Sequence, residues 1–175
     1  VWSRQVKRDF GRIDVVVANV GMVKLGAVTG ATSLEMFRSF VDGILVTTFL
    51  VCKEFSTLMA VQKQGRIITI SSIMSELHAP GTCAYASAKK GVVEFTKVLA
   101  KELLPFNVTC NCISPSLIET DSAKAFGEAW EQNMLEMQSI RRAVKPSEIC
   151  NIIDFFASPK SACVTGQVIH TCLVD

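Results

Sequence analysis

The sequence predicts an α/β fold: a doubly wound parallel sheet, truncated to its C-terminal portion. Three observations predict it. Short β-branched runs alternate with long stretches of helical period, the pattern of parallel βα units. The run Gly65-Arg-Ile-Ile-Thr-Ile-Ser-Ser72 reads as a strand ending in hydroxyls, followed by a loop and then a helix. The chain opens on what reads as the end of a helix, without the strand and glycine-rich turn that start a complete sheet of this kind.

In order along the chain, Val1 to Phe10 reads as the helix preceding the fourth strand of the complete sheet. Strands are expected near Ile13 to Ala18, Arg66 to Ser71, Val108 to Ile113 and Gln167 to Thr171. The first inter-strand helix is expected to begin at a capping box, Thr32-Ser-Leu-Glu35, and to run to about Gln62. Its apolar positions 34, 37, 41, 44, 45, 48 and 51 follow the helical period. A second helix should run from Cys83 to Leu104 and stop at Pro105. A third should start at Pro146, whose fixed φ suits a first helical position, and bury Ile149, Ile152, Ile153 and Phe156. Between these two, Thr120 to Gln138 has helical propensity without a clear apolar stripe. Residues 1–175 read as one domain. With no strand before it, Val15, Val16 and Val17 should line an uncovered sheet edge, and poor solubility as an isolated monomer is expected.

Composition narrows the function classes. Eighteen basic against 16 acidic residues give a net charge of +2 with no basic stripe, which argues against nucleic acid as a partner. The longest apolar run, Ile44 to Cys52, contains two threonines and stops at Lys53. It falls short of the roughly 20 residues of a membrane span, so no membrane role is expected. Seven cysteines lie scattered without a Cys-x-x-Cys pair, and only His78 and His170 could join them around a metal. Reduced thiols in a cytoplasmic protein, and no metal site, are the expectation. Cys110 and Cys112 share one strand face and read as small buried apolar residues.

Tyr85, the only tyrosine, and Lys89 stand four apart on a helix, and so on one face. An ammonium beside a phenol favours the phenolate, so the pair predicts a tyrosine pKa drawn down towards neutrality and usable in proton transfer. Ser72 lies thirteen residues earlier, at the carboxyl end of a strand, where ligands of open parallel sheets sit. Ser71 competes with it, but successive strand residues face opposite ways. A helix-surface pair and a strand-end hydroxyl are the bland readings of the same residues.

These residues resemble the short-chain dehydrogenase/reductase family, in its 3-oxoacyl-carrier-protein-reductase-like subgroup. Phe10-Gly-Arg-Ile-Asp-Val-Val-Val-Ala-Asn-Val-Gly21 is similar to the family's Asn-Asn-Ala-Gly strand, and Asn111-Cys-Ile-Ser-Pro-Ser-Leu-Ile-Glu-Thr120 to its Pro-Gly loop and following threonine. Val164-Thr-Gly-Gln-Val-Ile-His170 resembles its last strand. The resemblance implies a Rossmann-type domain lacking its N-terminal glycine-rich βαβ part. It implies hydride transfer between NAD or NADP and a small carbonyl or secondary alcohol substrate, in a homo-oligomer (dimer or tetramer) when complete. Tyr85 would be the general acid/base, Ser72 would orient the carbonyl, and Lys89 would lower the tyrosine pKa and hold ribose hydroxyls. Asn19, Gly21, Tyr85, Lys89, Pro115, Ile118 and Thr120 would bind the cofactor. Asn19 and Gly21 also admit a plainer reading, a turn residue and a positive-φ glycine.

Departures from the family pattern are specific. Ile44 takes the place of a relay asparagine, for which Thr47 or Thr48 could substitute, and Ser116 replaces a glycine where close backbone approach to the cofactor is expected. Phe106 stands where carrier-protein reductases carry a basic residue, and the C-terminus lacks an Asp-Gly-Gly ending associated with the subunit interface. His78 falls in the loop that faces substrate in the family, or is an ordinary loop histidine. Thr120 to Gln138 corresponds to a mobile substrate lid, or to a surface helix. The alternative function is a catalytically silent relative that acts by pairing with full-length subunits.

Overall fold

Four strands build one sheet in the order β1-β2-β3-β4, every neighbouring pair parallel: β1 (Val15–Ala18), β2 (Gly65–Ile70), β3 (Val108–Ser114) and β4 (Val168–His170). The computed structural model describes residues 2–22 and 26–174. Each strand lies where the β-branched runs predict it. Helix α1 (Trp2–Phe10) precedes β1, and α2 (Leu34–Phe40) and α3 (Thr47–Gln62) lie between β1 and β2. The short α4 (Met74–Leu77) and the long α5 (Cys83–Leu103) lie between β2 and β3. Helices α6 (Asp121–Lys124), α7 (Glu128–Glu136) and α8 (Pro146–Ala157) lie between β3 and β4.

Aligned residues of a parallel sheet share a face, so the register decides which side chains meet. Ile67 pairs with Cys110 and with Val16. All three enter a core with Cys52, Phe55, Met59, Leu99 and Leu103 from α3 and α5. Ile68, Ile70 and Ile113 face the other way, onto Ile149 and Phe156 of α8. Cys110 and Cys112 are both fully buried on one face, as their spacing predicts, and burial pushes both thiols up from their ordinary range. Some polar groups inside this sheet are matched, whereas Arg66 Nε, Ser114 Oγ and His170 Nδ1 are buried without a partner among the described residues. Thr69 and Thr96 bond through their hydroxyls at 2.7 Å, and Asn111 binds both the Val164 carbonyl and the Gln167 N–H on the approach to β4.

The stretch Leu34–Gln62 is helical throughout, but Val41–Val46 winds as a π-helix between α2 and α3. The sequence periodicity carries no sign of that turn. The cap also differs from expectation. Ser33, not Thr32, accepts from the Met36 N–H at 3.1 Å, while Thr32 donates to the Ala27 carbonyl. Lys63, in a left-handed conformation, ends α3. By length and composition this helix could cross a bilayer. Here one face, with Phe40, Ile44, Cys52, Phe55 and Met59, is buried against the sheet and α5. Helix α8 starts with Pro146 at its first position, as predicted, with Glu148 accepting from the Lys145 N–H at 2.9 Å.

Among the described residues no strand lies on the free side of β1. Val16 and Ala18 are buried while Val15 and Val17 are more than a third exposed. Lysine at position 17 (Val17→Lys) should reduce self-association of the chain, read by light scattering, because a charge on an open edge opposes strand pairing. Unchanged or increased scattering would count against the edge as the sticky surface. A methyl at Gly65 would sit 2.8 Å from Met59 Cβ, whereas one at Gly30 meets nothing within 4 Å. Gly65→Ala should therefore lose about 1–3 kcal/mol in urea unfolding, with Gly30→Ala within about 0.5 kcal/mol of the parent.

Candidate active site

The site forms where the carboxyl ends of β1, β2 and β3 open towards the first turns of α5. Beyond β2, Ser71 turns inward: its Oγ donates to the Lys89 carbonyl at 2.9 Å and its N–H to the Ile113 carbonyl at 2.7 Å. Ser72 faces the cavity, its Oγ accepting from the Met74 N–H at 3.3 Å. The alternation of the extended chain thus assigns the two hydroxyls to different jobs, one tying strand to helix and one left available.

Tyr85 and Lys89 lie on one face of α5, with Tyr85 packed edge-on to Phe40 at a ring separation of 6.1 Å. Lys89 is buried, and its Nζ donates to two backbone carbonyls, Ile70 at 2.9 Å and Val20 at 3.1 Å. That leaves one of its three donors. Burial pushes its pKa down to about 8. The Tyr85 phenol does not follow the sequence expectation. Burial raises it above its ordinary value, an effect that the Ser72 hydroxyl opposes. The ammonium stands 6.0 Å from the ring centroid and is engaged with carbonyls, so desolvation of the phenolate prevails over attraction.

Asn19 and Gly21 follow β1 and line the same cavity. Gly21 is not among the residues with positive φ, so backbone strain does not dictate it. A Cβ there would lie 3.6 Å from Lys89 Nζ, an ordinary contact. Pro115, Ile118 and Thr120 line the opposite wall. Their loop is clasped from behind: Gln138 accepts from the Leu117 N–H and donates to the carbonyls of Ile140 and Arg142. Val144 pairs with Ile118 through bonds to Leu117 and Glu119. Thr120 Oγ1 caps α6, accepting from the Ala123 N–H at 3.2 Å. The Ser116 hydroxyl accepts from Thr171 at 3.1 Å, and the Ser116 N–H donates to the same threonine.

All eight residues singled out from sequence therefore border one cavity of about 480 Å³. Others do not. His78 is exposed, in a left-handed conformation, and lies outside the cavity lining. Thr47 and Thr48 donate to the carbonyls of Asp42 and Ile44 in their own helix, so neither hydroxyl stands in for a relay asparagine. Ile44 is fully buried among Phe40, Ala84, Ala88 and Val92, a dry apolar cluster.

Sequence reasoning offered Thr120 to Gln138 as a substrate lid or a surface helix but singled out none of the apolar lining residues, Met22, Met36, Met74, Phe126, Trp130 and Met134. The rings of Phe126 and Trp130 stand 4.8 Å apart. Their spacing of four was a readable sign, but the short interrupted helices hid which way they point. Among the described residues no cluster of three His, Cys, Asp or Glu could hold a metal.

Residues 2–172 match the family model described as Enoyl-(Acyl carrier protein) reductase. The chain is 35% identical over 170 residues to the 3-oxoacyl-(acyl-carrier-protein) reductase FabG of Chlamydia muridarum, covering 95% of this chain and 68% of that protein. It is 36% identical over 162 residues to the 3-oxoacyl-(acyl-carrier-protein) reductase of Synechocystis sp., covering 92% and 64%. Among solved structures, the sorbitol-6-phosphate 2-dehydrogenase of Erwinia amylovora superposes with a TM-score of 0.90 at 27% identity, over 97% of this chain and 71% of that one.

The depressed Lys89 pKa has a measurable sign. The unfolded chain keeps that proton up to the ordinary lysine range, whereas the folded chain releases it at about 8. The unfolded state thus binds more protons between these limits, and stability rises with pH there. Relative to Lys89→Met, the parent chain should gain about 1 kcal/mol between roughly pH 8 and roughly pH 9.5 in denaturant unfolding. A flat difference would remove the buried ammonium from the argument.

Proposed function

This chain belongs to the short-chain dehydrogenase/reductase family, with 3-oxoacyl-(acyl-carrier-protein) reductase-like relatives, and from that premise we propose that it reduces a carbonyl, or oxidises the matching secondary alcohol, with NAD or NADP and with Tyr85 as general acid/base. The observation that carries the reading is the convergence of Ser72, Tyr85 and Lys89 on one cavity at the carboxyl ends of parallel strands.

The residues fit a nicotinamide cofactor. Asn19 and Gly21 form one wall, Pro115, Ile118 and Thr120 the other, and Lys89 keeps a donor for a ribose hydroxyl. A reduced nicotinamide held by these residues would supply the hydride for the carbonyl carbon. Negative charge then grows on the carbonyl oxygen, and two hydroxyl donors aimed at it stabilise that charge more than the ground state. Ser72 donates one hydrogen bond and holds the oxygen. Tyr85 donates the other and gives its proton, so that the product is the alcohol and the phenol is left as phenolate. Lys89, one turn along, makes that phenolate less costly by its positive charge. The raised Tyr85 pKa suits a group that must hold its proton until the oxygen needs it. Ile44 lies in an apolar cluster that packs against Tyr85 and offers no polar relay, so reprotonation of Tyr85 passes through the cavity in this reading.

A second reading, pairing with full-length subunits, is favoured by one observation. Phe49, Leu50 and Val98 present exposed apolar surface on α3 and α5. In that case the chain would co-elute with a full-length relative on gel filtration and show no turnover of its own.

Stopped assays with NADH and NADPH separate the readings. Tyr85→Phe should lower the rate by roughly 10²–10⁴-fold while cofactor binding, read by nicotinamide fluorescence, stays within a few-fold. Ser72→Ala should act in the same direction. Failure of the parent chain to bind either cofactor would remove the enzyme reading, and full activity of Tyr85→Phe would remove the tyrosine from the proton step.

A further inference from the structure

Resting on the oxidoreductase reading, we propose that the substrate is a compact, uncharged ketone carrying an apolar arm, free of a carrier or a phosphate group, and that Phe126, Trp130 and Met134 set this preference. The cavity divides by chemistry. Ser72, Tyr85 and Lys89 line it where β2 meets α5, the other polar lining side chains, among them Asn19, Thr32, Thr82, Ser116 and Thr120, are uncharged, and the rest of the lining is rich in thioethers and rings. Phe126, between α6 and α7, and Trp130 of α7 stand four residues apart, their rings tilted by 31° with centroids 4.8 Å apart, and both line the cavity. Met134, one turn further and 4% exposed, lines the same cavity, as do Met36 and Met74.

Lys89 is the one charged side chain among the described lining residues. It lies at the floor with two of its donors already given to Ile70 and Val20. Among the described lining residues a carboxylate or phosphate on the distal arm of a substrate would therefore meet no cation beyond Lys89, and an unpaired buried charge is strongly disfavoured. An alkyl arm gains instead, because each methylene laid against thioether and ring leaves water. Unbranched methionines adapt to arms of different shape, so the site selects polarity and size more than outline.

Binding to the parent chain is read from tryptophan emission with a series of methyl ketones, pentan-2-one to nonan-2-one, and with 7-oxooctanoate as the charged counterpart of octan-2-one. Trp130→Phe identifies the responding ring. Affinity should rise roughly two- to fourfold per methylene, and the keto acid should bind at least about tenfold more weakly. Phe126→Arg should narrow or reverse that ratio, a gain that loss of folding cannot produce. Equal binding of ketone and keto acid, affinity that ignores chain length, no ketone binding, or an unchanged ratio in Phe126→Arg would each overturn the proposal. Because this readout needs no cofactor, ketone binding as expected without oxidation of NADH or NADPH would sink the oxidoreductase reading separately.

Discussion

The structure turns on a buried ammonium. Lys89 cannot leave its charge unpaired inside the protein, and the partners it finds are the Ile70 and Val20 carbonyls, one ending β2 and one following β1. That pair of bonds joins two strand ends to α5 at one point, and Ser71 adds a third tie by donating to the Lys89 carbonyl. The same arrangement fixes where Tyr85 stands, one turn earlier, and leaves Ser72 as the strand-end hydroxyl open to a ligand. Catalytic geometry and strand-to-helix packing are in this sense one interaction.

Electrostatics and packing pull in opposite directions at this point, and packing decides. Burial lowers Lys89 to about 8, where it still carries its charge at neutral pH, and raises Tyr85, so the phenol holds its proton before any ligand arrives. Ile44, in the π-helical turn, packs an aliphatic side chain with Phe40, Ala84 and Val92. A site of this kind is dry on its helix side and opens towards the loops after β1 and β3. Those loops are held by different means. The β3 loop is clasped by Gln138 and Val144, whereas the segment after β1 is fixed where the Val20 carbonyl meets Lys89.

The amino-acid sequence by itself determined the strands, the long helices and the position of the polar floor. β-Branched runs and helical periods are local properties, and residues 72, 85 and 89 carry a spacing that a strand, loop and helix convert into a shared cleft. Only the tertiary structure decided the rest, because it depends on contacts between distant segments. The direction of the Tyr85 shift came from the balance of burial against an ammonium already engaged elsewhere. Thr47 and Thr48 bonding within their own helix, Ser33 taking the cap from Thr32, and His78 standing outside the cavity were each choices among local partners that sequence spacing leaves equal. The apolar wall of Phe126, Trp130 and Met134 was set by how two short helices fold back over the strand ends, and no periodic pattern in so few residues encodes that orientation.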